Sequence, residues 1–82
     1  AHIKDFLWKK GTEPKPGKGW FKSRGGNYVR GTIVGNGVIP VAQCVGMLKN
    51  AGYDGTVSVE FEGLEENLPA LEISLEYLKN LI

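Results

Sequence analysis

Apolar and polar positions alternate with a period of two along Thr56-Val57-Ser58-Val59-Glu60-Phe61-Glu62-Gly63. Val57, Val59 and Phe61 fall on one face of a strand; Thr56, Ser58, Glu60 and Glu62 fall on the other. Buried parallel strands normally carry apolar residues on both faces. A polar face ending in carboxylates therefore fits an antiparallel strand with one wet face, or a strand whose C-terminal end opens into a site. A second alternating segment spans residues 1–6, with Ile3 on one face and His2 and Lys4 on the other.

The helical period appears twice. Val41, Cys44, Val45 and Leu48 recur at i, i+3, i+4 and i+7 behind Pro40, and predict a helix over 40–51 with Gly52 as its left-handed stop. Cys44 reads as a small buried apolar residue on that stripe. Leu68, Leu71, Leu75, Leu78 and Ile82 predict a helix over 67–81, opened by Asn67 and Pro69, with Ile73, Tyr77 and Leu81 widening its apolar surface. Glu72 and Glu76 read as solvated. The spacing suits packing on a sheet, and also a partner helix.

Residues 7–39 read as a long connection. Residues 7–29 hold two prolines, five glycines and the aromatics Trp8, Trp20, Phe21 and Tyr28, so this loop is expected to pack onto something. The rest is a short extended piece broken at Gly35-Asn36-Gly37, a turn signal without the Gly-Lys-Ser/Thr of a phosphate loop. Strands at 1–6 and 56–61, each followed by a helix, imply a crossover connection and a parallel pair. Two parallel strands alone make no stable sheet. That, and a strand at the very first residue, lead us to expect a piece of a longer protein.

Composition narrows the class. Eighty-two residues allow one small domain, and the 41% hydrophobic content is that of a globular chain. The single Cys44 forms no internal disulfide and suits a reducing, cytoplasmic setting. The net charge of +1 hides an asymmetry: residues 1–30 carry eight Lys or Arg against Asp5 and Glu13, and residues 31–82 carry two against seven acids. Such a basic segment suits a sugar phosphate or nucleic acid, and equally a solvated lysine-rich loop.

His2, Lys4, Glu60 and Glu62 share the polar faces of the two strands. If the strands are neighbours, His2 and Glu60 converge. An imidazole with a carboxylate suits a divalent metal such as Mn2+, Co2+, Zn2+ or Mg2+, or forms a hydrogen bond in a polar core.

Four segments in order carry a resemblance: His2-Ile3-Lys4-Asp5, Gly35-Asn36-Gly37-Val38-Ile39-Pro40, Ala51-Gly52-Tyr53-Asp54-Gly55 and Val57-Ser58-Val59-Glu60-Phe61-Glu62-Gly63. Together they resemble the C-terminal end of the sugar phosphate isomerase/epimerase family, xylose-isomerase-like TIM barrels. The resemblance implies an α/β fold, the last two βα units of a (β/α)8 barrel, with His2 a metal ligand and Glu60 both metal ligand and catalytic base. It implies proton transfer next to a carbonyl through an enediolate, with the partner acid and further ligands supplied by earlier strands. Lys4, Asp5 and Arg30 are the expected substrate contacts. The expected partners are a small sugar or sugar phosphate, and the rest of a barrel or a second copy; nucleic acid and membrane are not expected. Metal-dependent apurinic endonucleases of the same superfamily carry an Asp-x-His pair before the Gly-rich turn. Asn27-Tyr28-Val29-Arg30-Gly31-Thr32 has none, which argues against DNA cleavage. The alternative to an enzyme is a non-catalytic fragment.

Overall fold

The computed structural model describes residues 1–82. Its elements in chain order are β1 (His2–Ile3), β2 (Asp5–Lys9), β3 (Phe21–Lys22), β4 (Tyr28–Thr32), α1 (Val41–Asn50), β5 (Ser58–Val59) and α2 (Asn67–Leu81). β1 and β5 pair in parallel, His2 opposite Ser58 and Ile3 opposite Val59. β2, β4 and β3 form a separate antiparallel sheet in that order.

This sheet overturns the expected barrel units. Two terminal βα units would send each strand directly into a helix, all strands parallel. Here the chain leaves β1, runs into β2, and returns antiparallel through β4 before reaching α1. β2 pairs with β4 along its whole length, from Asp5 opposite Thr32 to Lys9 opposite Tyr28. Phe6, Leu7, Trp8, Tyr28 and Val29 have the aromatic and branched side chains that fill a pleated surface. The fold is thus a small arrangement of two helices and five strands with mixed parallel and antiparallel pairing, not the α/β barrel units expected. The parallel strands are also shorter than the expected 1–6 and 56–61, because pairing ends where Lys4 and Glu60 begin the open edge.

The core is thin. Only 11 of 82 residues are buried, and Ile3, Val34, Val41, Val45 and Leu78 form its centre. Val57, Val59, Tyr77 and Leu81 close around it. α1 turns in Val41 and Val45 and leaves Cys44 exposed, so Cys44 is not the buried filler its stripe suggests. α2 turns in Ala70, Ser74 and Leu78, leaving Leu68, Leu75 and Ile82 in solvent. Part of its leucine row, Leu68 and Leu75, is therefore turned away from the core, while Leu78 stays in it. No helix is long and apolar enough to cross a membrane.

Ser74 explains part of that rotation. Its side chain is fully buried, and its Oγ accepts the Val34 N–H at 3.0 Å. Ser74→Ala is expected to leave that N–H orphaned and cost about 1–3 kcal/mol, the range for a buried donor without a partner. Denaturant titration checks this: a midpoint equal to the parent's would remove the bond from the account of the fold.

Candidate functional site

The site grows out of the parallel pair. Alternation puts His2 and Lys4 on one face of β1 and its extension, and Ser58 and Glu60 on the matching face of β5. The ladder runs one step past β5, where the Glu60 N–H donates to the Ile3 carbonyl at 2.9 Å. Glu60 is thereby held level with Lys4. Its Oε1 lies 2.6 Å from His2 Nδ1, and its Oε2 lies 3.4 Å from Lys4 Nζ. One carboxylate thus bridges an imidazole and an ammonium at the open edge of the strands.

The bond to His2, and next that to Lys4, hold the Glu60 carboxyl below its ordinary value of 4.5. At neutral pH Glu60 is therefore ionised and can only accept. His2 Nδ1 must then carry the proton of their short bond. In the neutral ring this leaves the lone pair on Nε2. The His2 side chain is 70% exposed, so the cluster is open to a ligand. Beside it, His2, Ile3, Lys4, Ile39, Val41 and Cys44 line a shallow hollow of about 180 Å³.

Asp5 lies elsewhere. It is buried, and its carboxylate accepts four backbone N–H groups: Phe6 at 2.9 Å, and Gly35, Gly37 and Ile39 at 3.0 Å each. A carboxylate so occupied organises the Gly35–Ile39 turn and has little left to offer a substrate. Gly37 must be glycine for the same reason, because a Cβ there would run into the Asp5 carboxylate and the Phe6 carbonyl. Gly35, at φ 99°, takes the left-handed backbone the turn needs.

Arg30 is likewise apart from the cluster. Its guanidinium donates to Glu65 Oε1 at 3.3 Å and lies 5.9 Å from the centre of the Trp20 ring. Thr32 Oγ1 donates to the other oxygen of Glu65 at 2.6 Å. Burial pushes Glu65 up, but the bonds from Thr32 and from backbone N–H groups, with the Arg30 charge, outweigh it and leave the carboxyl below 4.5. Glu65 therefore ties the lead-in of α2 to β4. No motif marked it in the sequence; its signal is only that the acid pair Glu65-Glu66 follows Gly63-Leu64 at a bend. Glu62 is exposed and joins neither group.

The lowered carboxyls fix the sign of a pH effect. Groups depressed in the folded state stabilise it above their unfolded value and lose that contribution as pH falls through the folded one. Acid should therefore weaken the fold below pH 4.5. Glu65→Gln is expected to flatten this dependence, read as unfolding midpoints across the acid range. An unchanged slope would mean that the Glu65 bonds contribute nothing.

The donor set does not fit a divalent metal by itself. Nowhere do three His, Cys, Asp or Glu side chains converge. His2 and Glu60 are bound to one another, and an ammonium occupies the second carboxylate oxygen. Metal sites usually take three or more protein ligands. Compared with known proteins, the chain matches no family model, no curated protein and no solved structure.

Proposed function

We propose that this chain carries a proton-transfer site for a small hydroxy-carbonyl compound of the sugar or sugar-phosphate class, as part of an isomerase or epimerase. The observation that supports the reading is the convergence of His2, Lys4 and Glu60 on the exposed edge of a parallel strand pair. An ionised carboxylate within reach of a substrate C–H, with hydrogen-bond donors beside it, is what enediolate chemistry requires. Glu60 removes the proton next to the carbonyl. His2 Nδ1–H steadies Glu60 and leaves Nε2 free to exchange a proton with a substrate hydroxyl. Lys4 moves from Oε2 onto the developing oxyanion. That move also strengthens the base, since a carboxylate relieved of its cation holds a proton more tightly.

Isomerisation can return the proton from Glu60 to the neighbouring carbon. Epimerisation needs a second acid on the opposite face, which must come from outside this group. A divalent ion would likewise need further donors from outside this group. The lone exposed thiol of Cys44 suits a reducing, cytoplasmic setting.

The test is solvent exchange. The protein is held in D2O with dihydroxyacetone, fructose or fructose 6-phosphate, and the proton next to the carbonyl is followed by NMR. Loss of that signal above the buffer rate supports the reading; a rate equal to buffer across the set overturns it. The thin core and the exposed Leu68 and Leu75 of α2 favour the second reading, a non-catalytic part that is completed by association.

A further inference from the structure

The antiparallel sheet has two unlike faces. Directly opposed residues of antiparallel strands project to the same side. Lys9 and Lys22 both stand opposite Tyr28, so a tyrosine ring sits in a row between two lysines. Trp8 and Phe21 both stand opposite Val29 and make an apolar row on the other side. Trp20 belongs with the cationic row: Lys9 Nζ lies 5.4 Å from the centre of its ring. Lys15, Pro16, Trp20, Lys22 and Tyr28 line a hollow of about 380 Å³ there, which Phe21, on the edge strand, also borders.

The charge on this face is uncompensated. Residues 9–24 hold six Lys or Arg and the single acid Glu13. Every ion pair of the molecule involves His2, Lys4 or Arg30, so Lys9, Lys15 and Lys22 face no carboxylate. Aromatic rings between free cations match a ligand with flat, stackable groups joined by anions. A membrane surface would favour the apolar row and the cations on one side, whereas the sheet separates Trp8 from them.

We propose that this face binds single-stranded nucleic acid, stacking an unpaired base on Tyr28 or Trp20 and placing phosphates on Lys9, Lys15 and Lys22. The missing Asp-x-His pair bears on cleavage and leaves binding open. A duplex keeps its bases stacked and offers no free ring face. The same segment of the chain also carries Lys10, Lys18 and Arg24, a density of positive charge that suits a chain of phosphates better than one free nucleotide.

Fluorescence anisotropy with labelled oligo-deoxythymidine and oligo-uridine of about 15 nucleotides tests this. ATP, a duplex, heparin and anionic phospholipid vesicles are the competitors. Three lysine–phosphate contacts predict a slope of about −2 for log K against log salt, and Lys22→Glu should make it shallower. Tyr28→Ala should weaken binding on the order of tenfold, and Tyr28→Phe should restore it. Circular dichroism identifies a Tyr28→Ala chain that has lost its sheet; Lys22→Glu, at an exposed position, then carries the test. Oligonucleotide binding no tighter than that of ATP, heparin or duplex would overturn the proposal. So would preference for vesicles, or a folded Tyr28→Ala protein that binds like the parent.

Discussion

Asp5→Ala is expected to unfold most of the chain. The Asp5 carboxylate is buried and holds the N–H groups of Phe6, Gly35, Gly37 and Ile39. Removing it leaves four backbone donors of a partly buried turn without their shared acceptor. One orphaned buried donor costs about 1–3 kcal/mol, and bonds to a charged acceptor lie at the upper end. The bonds do not add independently, so a net loss of about 3–5 kcal/mol is the reasonable expectation. Small domains have about 5–15 kcal/mol in all, and this thin core belongs near the bottom of that range. Asp5→Asn keeps one accepting oxygen but points an NH2 group at donors, so it should rank between parent and alanine. Far-ultraviolet circular dichroism with urea titration reads both. A folded Asp5→Ala protein with the parent's midpoint would show that the turn holds itself.

The second large effect concerns chemistry. Glu60→Gln preserves the length and planarity of the side chain but removes the negative charge that His2 and Lys4 share. If Glu60 is the base, solvent exchange next to the substrate carbonyl should fall by at least ~10²-fold, the lower end for losing a general base. The fold should hardly change, because the cluster sits at an open edge. Glu62→Gln is the matched control, exposed and outside the cluster, and should stay within about twofold of the parent. Equal rates for Glu60→Gln and parent would refute the assignment, and equal losses in both variants would point to nonspecific charge.

The sequence was legible where one period governed a segment. The apolar stripes place the helices at Val41–Asn50 and Asn67–Leu81, within a residue or two of expectation. Alternation brings His2 and Glu60 together, because faces of neighbouring parallel strands follow from counting. Periodicity does not reveal which side of a helix finds the core. α2 turned in Ala70 and Ser74, small residues that let Val34 come close, together with Leu78, and left Leu68 and Leu75 outside. The antiparallel sheet was obscured because β2 and β4 are short and lie far apart along the chain, with glycines and prolines dominating the stretch between. The roles expected of Asp5 and Arg30 rested on a resemblance that placed them near a substrate. Asp5 is instead drawn beneath a glycine turn, and Arg30 is held by Glu65 and Trp20. Neither partner is visible without the pairing of β2 with β4.

That pairing has a consequence for how the chain can vary. The Asp5 carboxylate gathers residues 35 to 39, and β2 opposite β4 fastens the same excursion a second time. Lys10 to Asn27 lies beyond a doubly fastened base, with Phe21–Lys22 tied back to β4 within it. Added length there stretches an already closed loop, and doubling such a loop costs only about 0.6 kcal/mol. The tip is therefore where this molecule can accept inserted sequence, and exchange one binding surface for another, while the helices and the Glu60 edge stay as they are.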